Sequence, residues 1–88
     1  MTTVIVVHTW SDSQKPAFDK FAGDLLGMAK GGKLPKGLQL KEVFLAKGKN
    51  MAVCRWEVDS LDHLMQVAGS MKPSWKIEAY EATPAYQS

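Results

Sequence analysis

His8, Trp10 and Trp75 are the residues of this chain whose types offer the most chemistry. A histidine titrates near neutral pH and can give a proton, take one or ligate a haem iron. Two indoles supply apolar walls with a single hydrogen-bond donor each. An imidazole among indoles and aliphatic side chains has the composition of a small-molecule site, mostly apolar with one titratable group. The alternative is structural, with His8 a hydrogen-bonded strand-end residue and the tryptophans core or interface contacts. Arg55, the one arginine, offers a second chemistry, a bidentate grip on a carboxylate. Glu57 lies two residues further on the same strand face, so a salt bridge, within the protomer or across an interface, competes for that guanidinium.

The remaining reactive types narrow the choices. Cys54 is a lone cysteine, which excludes an intramolecular disulfide and fits a reducing compartment. Placed mid-strand, it reads as a buried, inert small hydrophobe. Histidines at positions 8 and 63 form no close-spaced metal pair, and the glycines form no phosphate-binding fingerprint. Neither a metal nor a cofactor is expected. His63 falls on the polar side of its helix and is expected to be solvated.

The elements that must position these residues follow from periodicity. Thr3–Trp10 contains Val4 to Val7, a run of β-favouring apolar residues that fits both of its faces for burial. Ser11, Asp12 and Ser13 are N-cap candidates, and Pro16 suits a first helical turn if Asp12 or Ser13 is the cap. Phe18, Phe21, Ala22, Leu25, Met28 and Ala29 then form one helical face, which Gly31 and Gly32 terminate. Gly23 and Gly27 share a face of that helix. Either something approaches the backbone there, or they are a tolerated surface pair.

A second strand is predicted at about Leu38–Lys47, with Leu38, Leu40, Phe44 and Ala46 on one face. The turn Gly48-Lys49-Asn50 leads into a third strand, Met51–Val58. There Met51, Val53, Arg55 and Glu57 oppose Ala52, Cys54, Trp56 and Val58. Asp59-Ser60 caps a second helix whose stripe is Leu61, Leu64, Met65, Ala68 and Met71, and Pro73 ends it. Trp75–Glu81 alternates as a fourth strand.

The order βαββαβ, within one domain spanning residues 1–88, predicts an α+β, ferredoxin-like sandwich. It has a four-stranded antiparallel sheet with two helices on one face. Right-handed crossovers give the spatial strand order fourth, first, third, second. The central strands are then the two that are apolar on both faces. The face opposite the helices would be a larger apolar patch than monomers usually expose, so a homodimer joined through it is expected. The same arrangement groups His8 and Trp10 with Met51, Val53, Trp75 and Ile77 at one sheet end. It puts Arg55, Trp56 and Glu57 near Tyr80 and Glu81 at the other.

Several stretches also carry a family likeness. They are Leu34-Pro35-x-Gly37-Leu38 entering the second strand, Val53-Cys54-Arg55-Trp56-Glu57 leading to Asp59, Trp75 opening the last strand, and Glu78-Ala79-Tyr80 within it. On these the chain resembles the dimeric α+β barrel proteins. That group includes antibiotic-biosynthesis monooxygenase-like domains, haem-degrading enzymes and small families of unknown function. The likeness is strongest to short uncharacterised members with a tryptophan before the final strand. Haem-degrading members use an asparagine, tryptophan and histidine set. The one asparagine here, Asn50, falls in a hairpin turn, a departure that argues against that activity.

Net charge is +2, too small to imply a nucleic-acid partner. Lys30, Lys33, Lys36, Lys41, Lys47 and Lys49 nevertheless crowd one window with only Glu42 as counter-charge. They read as a solvated rim that guards an edge strand, with an anion-attracting patch as the alternative. The third strand lacks the paired aromatics of an RNA-binding sheet. Met1–Thr3 lacks a basic leader region and no run approaches a membrane span, so a cytoplasmic protein is expected. Three functions remain in view. The first is a homodimer binding an apolar or aromatic small molecule near His8, Trp10, Trp75 and Met51. The second is a cofactor-independent monooxygenase- or isomerase-like enzyme with His8 as acid/base. The third is an interaction module using the Lys30–Lys49 rim.

Overall fold

The computed structural model describes residues Met1–Ser88. Its elements are β1 (Thr2–Thr9), α1 (Lys15–Lys30), β2 (Leu38–Leu45), β3 (Met51–Val58), α2 (Leu61–Ser70) and β4 (Lys76–Glu81). The strands form one sheet in the order β2-β3-β1-β4, every neighbouring pair antiparallel. This is the ferredoxin-like arrangement expected from the element order, with β1 and β3 central. No helix is long and apolar enough to cross a membrane.

Burial alternates along the central strands because successive side chains face opposite ways. Val4, Val6 and His8 of β1, with Ala52, Cys54, Trp56 and Val58 of β3, are buried on the helix-bearing face. Leu25 of α1, Leu64 of α2 and Leu38 of β2 complete this core. On the other face Ile5, Val7, Met51 and Val53 are only half-buried, while Phe44 and Tyr80 are more than half exposed. The C-terminal tail borders one corner of that face, near Ile5 and Arg55.

β2 departs from the sequence reading. Its pairing with β3 shifts register between Leu40 and Glu42, so Leu40 opposes Trp56 but Glu42 opposes Arg55. The extra residue, Lys41, reverses the alternation beyond it. Val43 therefore faces the helices opposite Cys54, and Phe44 opposes Val53 on the open face rather than sharing a face with Leu38 and Leu40. A strict two-residue period carries no signal of such a bulge.

The end of the sheet holding His8 is tied together by loop contacts. A short 3-10 turn, Asp12–Gln14, precedes α1, so the chain enters the helix later than caps at Asp12 or Ser13 imply. The Gln14 side chain accepts from the Ser11 backbone N–H at 2.9 Å and donates to the Ser74 carbonyl at 2.6 Å. Asn50 Nδ2 donates to Asp12 Oδ1 at 2.8 Å. The start of α1, the β2–β3 hairpin and the loop before β4 are thereby fixed to one another. At the opposite end Gly37 has φ +92°, and a Cβ there would fall 2.3 Å from Asp59 Oδ2. Only glycine fits that contact without a shift. Apart from the neighbouring residues and backbone of α1 itself, nothing lies within 4 Å of a Cβ placed on Gly23 or Gly27, so within one protomer they are an open surface pair.

Candidate functional site

β1 delivers His8 to the helix-bearing face, between Ala52 of β3 and Ile77 of β4 in register. Trp75, one residue before β4, donates its indole N–H to His8 Nδ1 at 3.0 Å. Because Nδ1 accepts, the hydrogen-bond network puts the proton of the neutral ring on Nε2. His8 is 3% exposed, and burial lowers its pKa from 6.5 to about 4. A ring taken out of water disfavours its charged form, so the imidazole is neutral at pH 7. The near-neutral titration that gives free histidine its versatility is displaced into acid.

Two phenylalanines of α1, Phe18 and Phe21, complete the surroundings. Their ring centroids lie 5.5 and 5.6 Å from that of His8. Phe18 also stacks on Trp10 at 3.8 Å with an interplanar angle of 12°, and presents an edge-on contact to Trp75 at 5.6 Å. Trp10, Phe18, Ala52 and Trp75 thus form a second buried cluster beside the main core. The helical stripe contained Phe18 and Phe21, yet nothing in its spacing tells which stripe residues meet His8. That depends on where α1 crosses the sheet.

The space around this cluster is uneven. His8 borders two narrow voids of about 30 and 20 Å³ beneath the helices, room for no more than a water or two. A cleft of about 210 Å³ opens on the Trp75 side of α1, where Phe21, Lys20 and Lys72 contribute to its walls. A groove of about 270 Å³ opens on the Trp10 side, between α1 and the β2–β3 hairpin. Phe18, Ala22, Leu26, Val43 and Leu45 give it an apolar lining, and Lys15, Asp19 and Lys49 stand at its polar margin. The indole N–H of Trp10 is the one buried side-chain polar atom without a hydrogen-bond partner.

The grouping expected at this end of the sheet is met in part. His8, Trp10, Trp75 and Ile77 share the helix-bearing face. Met51 and Val53 do not, because Met51 opposes Thr9 and Val53 opposes Val7 on the open face. Met51 nonetheless borders the groove beside Trp10, at the hairpin end. Arg55 is far along the sheet, opposite Ile5, which in turn opposes Tyr80. Its Nε pairs with Glu42 Oε1 and its Nη1 lies 3.6 Å from Glu57 Oε2. Thr3 donates to that same Glu57 oxygen at 2.6 Å. With a carboxylate on two sides, the guanidinium is engaged in the intramolecular bridge weighed against ligand binding.

Cys54 is 3% exposed, and burial pushes its thiol pKa up to about 11, which keeps it protonated. His63 differs from its solvated reading. It is half-buried, with Nδ1 2.8 Å from Asp59 Oδ1, and that hydrogen bond holds the Asp59 carboxyl below its ordinary range. Ser60 caps α2 by accepting from the His63 backbone N–H at 3.1 Å. No group of three or more histidine, cysteine, aspartate or glutamate side chains is placed to hold a metal ion.

Fold and site together define a ferredoxin-like α+β domain with an aromatic cluster at one sheet end and a groove on either side of α1. Compared with known proteins, the chain matches no family model, no curated protein and no solved structure.

Proposed function

We propose that this protein is a homodimer that binds an apolar or aromatic small molecule against the cluster of His8, Trp10, Phe18 and Trp75. The observation that carries the reading is the concentration of aromatic rings at one end of the sheet, bordering clefts of about 210 and 270 Å³. Rings fixed by stacking offer a large contact area at little entropic cost to a ligand that lies against them. Volumes below the lower end of ligand-pocket sizes favour a small molecule. The dimer rests on the open face, where Ile5, Val7, Val53, Phe44 and Tyr80 are apolar positions beside the paired charges of Glu42, Arg55 and Glu57, with no element packed over most of it. A two-fold copy of the same face is the simplest cover.

The likeness to monooxygenase-like domains supplies the second reading, an enzyme with His8 as acid/base. It is the weaker one, because His8 is buried, neutral at pH 7 and bonded through Nδ1. The lysine-rim reading is weaker still. Lys41 sits at the β2 bulge and Lys47 and Lys49 in the following turn, on an edge where lysines discourage strand pairing.

The test pairs native mass spectrometry with titration of N-phenyl-1-naphthylamine, a neutral aromatic probe. Saturable binding of one probe per protomer, lost in Trp10→Ala and in Trp75→Ala, is expected on a dimer. Binding that never saturates, or that survives both substitutions, refutes the site. A monomer at micromolar concentration refutes the dimer.

A further inference from the structure

We infer that the void between α1 and α2 is a site for a small neutral carbonyl compound, no larger than acetone, whose oxygen accepts from His8 Nε2–H. This space is separate from the two grooves assigned above, and the inference does not depend on them.

The histidine has one nitrogen to spare. Nδ1 accepts from Trp75 at 3.0 Å, which leaves the ring proton on Nε2. No group of the protomer accepts from Nε2, yet that atom is not sealed in, since Trp10 Nε1 is the one unpartnered atom that is fully enclosed. Of the spaces described above, the two that His8 borders are the voids of about 30 and 20 Å³. The smaller has no exposed residue in its wall. The larger lies between Phe21 and Leu25 of α1 and Leu64, Met65 and Ala68 of α2. Met65, 40% exposed, carries it to the surface. Its unbranched thioether is the part of the wall most easily turned aside to seat a guest.

The balance of groups selects the guest. His8 is the one polar residue of the lining. A water would have a single partner there, where a buried water commonly has about three. A guest with one acceptor atom and an apolar body is satisfied in full. An alcohol brings a donor that finds no acceptor, because Nδ1 is taken. A carboxylate brings a charge that a neutral imidazole and apolar walls do not offset. A ketone or aldehyde meets each condition, and a neutral imidazole N–H is suited to polarising its carbonyl.

Acetone, 2-propanol and acetate are close in shape and differ in these respects. Each is titrated into the intact protein at pH 7 while nuclear magnetic resonance follows the nitrogen shift of His8 Nε2. Acetone is expected to move that signal saturably, with a roughly millimolar Kd for so small a compound. Binding of 2-propanol should be about ten-fold weaker, and acetate should leave the signal unmoved. Met65→Ala, a change at an exposed helix position, is expected to admit cyclohexanone, which the wild type excludes. A His8 signal that acetone leaves unmoved, or that 2-propanol or acetate moves at the same concentrations, overturns the carbonyl site. Cyclohexanone binding to both proteins alike, or to neither, overturns the entry at Met65. Failure of the aromatic probe at the grooves bears on the proposed function alone.

Discussion

Protonation of His8 should destabilise the fold, and the structure gives the size of the effect. The ring is buried on the helix-bearing face and its pKa is lowered from 6.5 to about 4. Between those values the unfolded chain binds a proton that the folded chain refuses, so stability falls as pH falls through this window. Above pH 6.5 the ring is neutral in both states and the contribution is complete. Below about 4 both states are protonated and it has been lost. Each pKa unit is worth about 1.36 kcal/mol, so this shift corresponds to roughly 3 kcal/mol across the window. A domain of this size loses about 4–8 °C of melting temperature per kcal/mol. The hydrogen bond to Trp75 acts in the same direction, because a protonated Nδ1 becomes a donor facing the indole N–H 3.0 Å away. Urea denaturation at half-unit steps from pH 7.5 to 4 measures the loss, with His8→Gln as the control. Glutamine offers Trp75 a carbonyl acceptor and does not titrate. Acidic groups elsewhere titrate in both proteins, so the difference between the two curves isolates His8. Equal slopes from pH 6.5 to 4, or a nuclear magnetic resonance titration placing His8 near 6.5, would refute the argument.

Two further outcomes follow from the packing. Gly37→Ala combines a positive φ with a Cβ 2.3 Å from the Asp59 carboxylate, and should cost roughly 2 kcal/mol or more in urea denaturation. Gly32→Ala, at φ +67° with open space around it, should cost only about 1–2 kcal/mol. A Gly37 variant no less stable than the Gly32 variant would dispose of the contact with Asp59. Cys54, buried and with its thiol pushed up to about 11, should react with a disulfide reagent at pH 8 only as fast as the protein opens. Labelling in native buffer as rapid as in 6 M guanidinium would place the thiol at the surface.

Much of the fold was legible because it is written in short-range periodicity. The third strand runs Met51–Val58 as its alternation predicted, and the doubly apolar β1 and β3 occupy the centre of the sheet. Right-handed crossover sterics then set the strand order with no reference to side chains. The expected neighbourhood of His8 with Trp10 and Trp75 followed from that order, and the structure brings them together on the helix-bearing face. Met51 and Val53 fell to the other face because neighbouring positions on paired strands share a sheet end without sharing a side.

What the sequence determined by itself was the set of elements, their order and the faces of the regular strands. Each of these depends on residues a few positions apart. What the tertiary structure decided was where that regularity breaks and which distant groups meet. The bulge at Lys41 turned Phe44 outward. The line of α1 across the sheet stacked Phe18 on Trp10. Burial, which depends on everything packed around a side chain, moved the pKa of His8 into acid and left the Trp10 donor without a partner. Such properties belong to an environment assembled from the whole chain, so no local pattern encodes them.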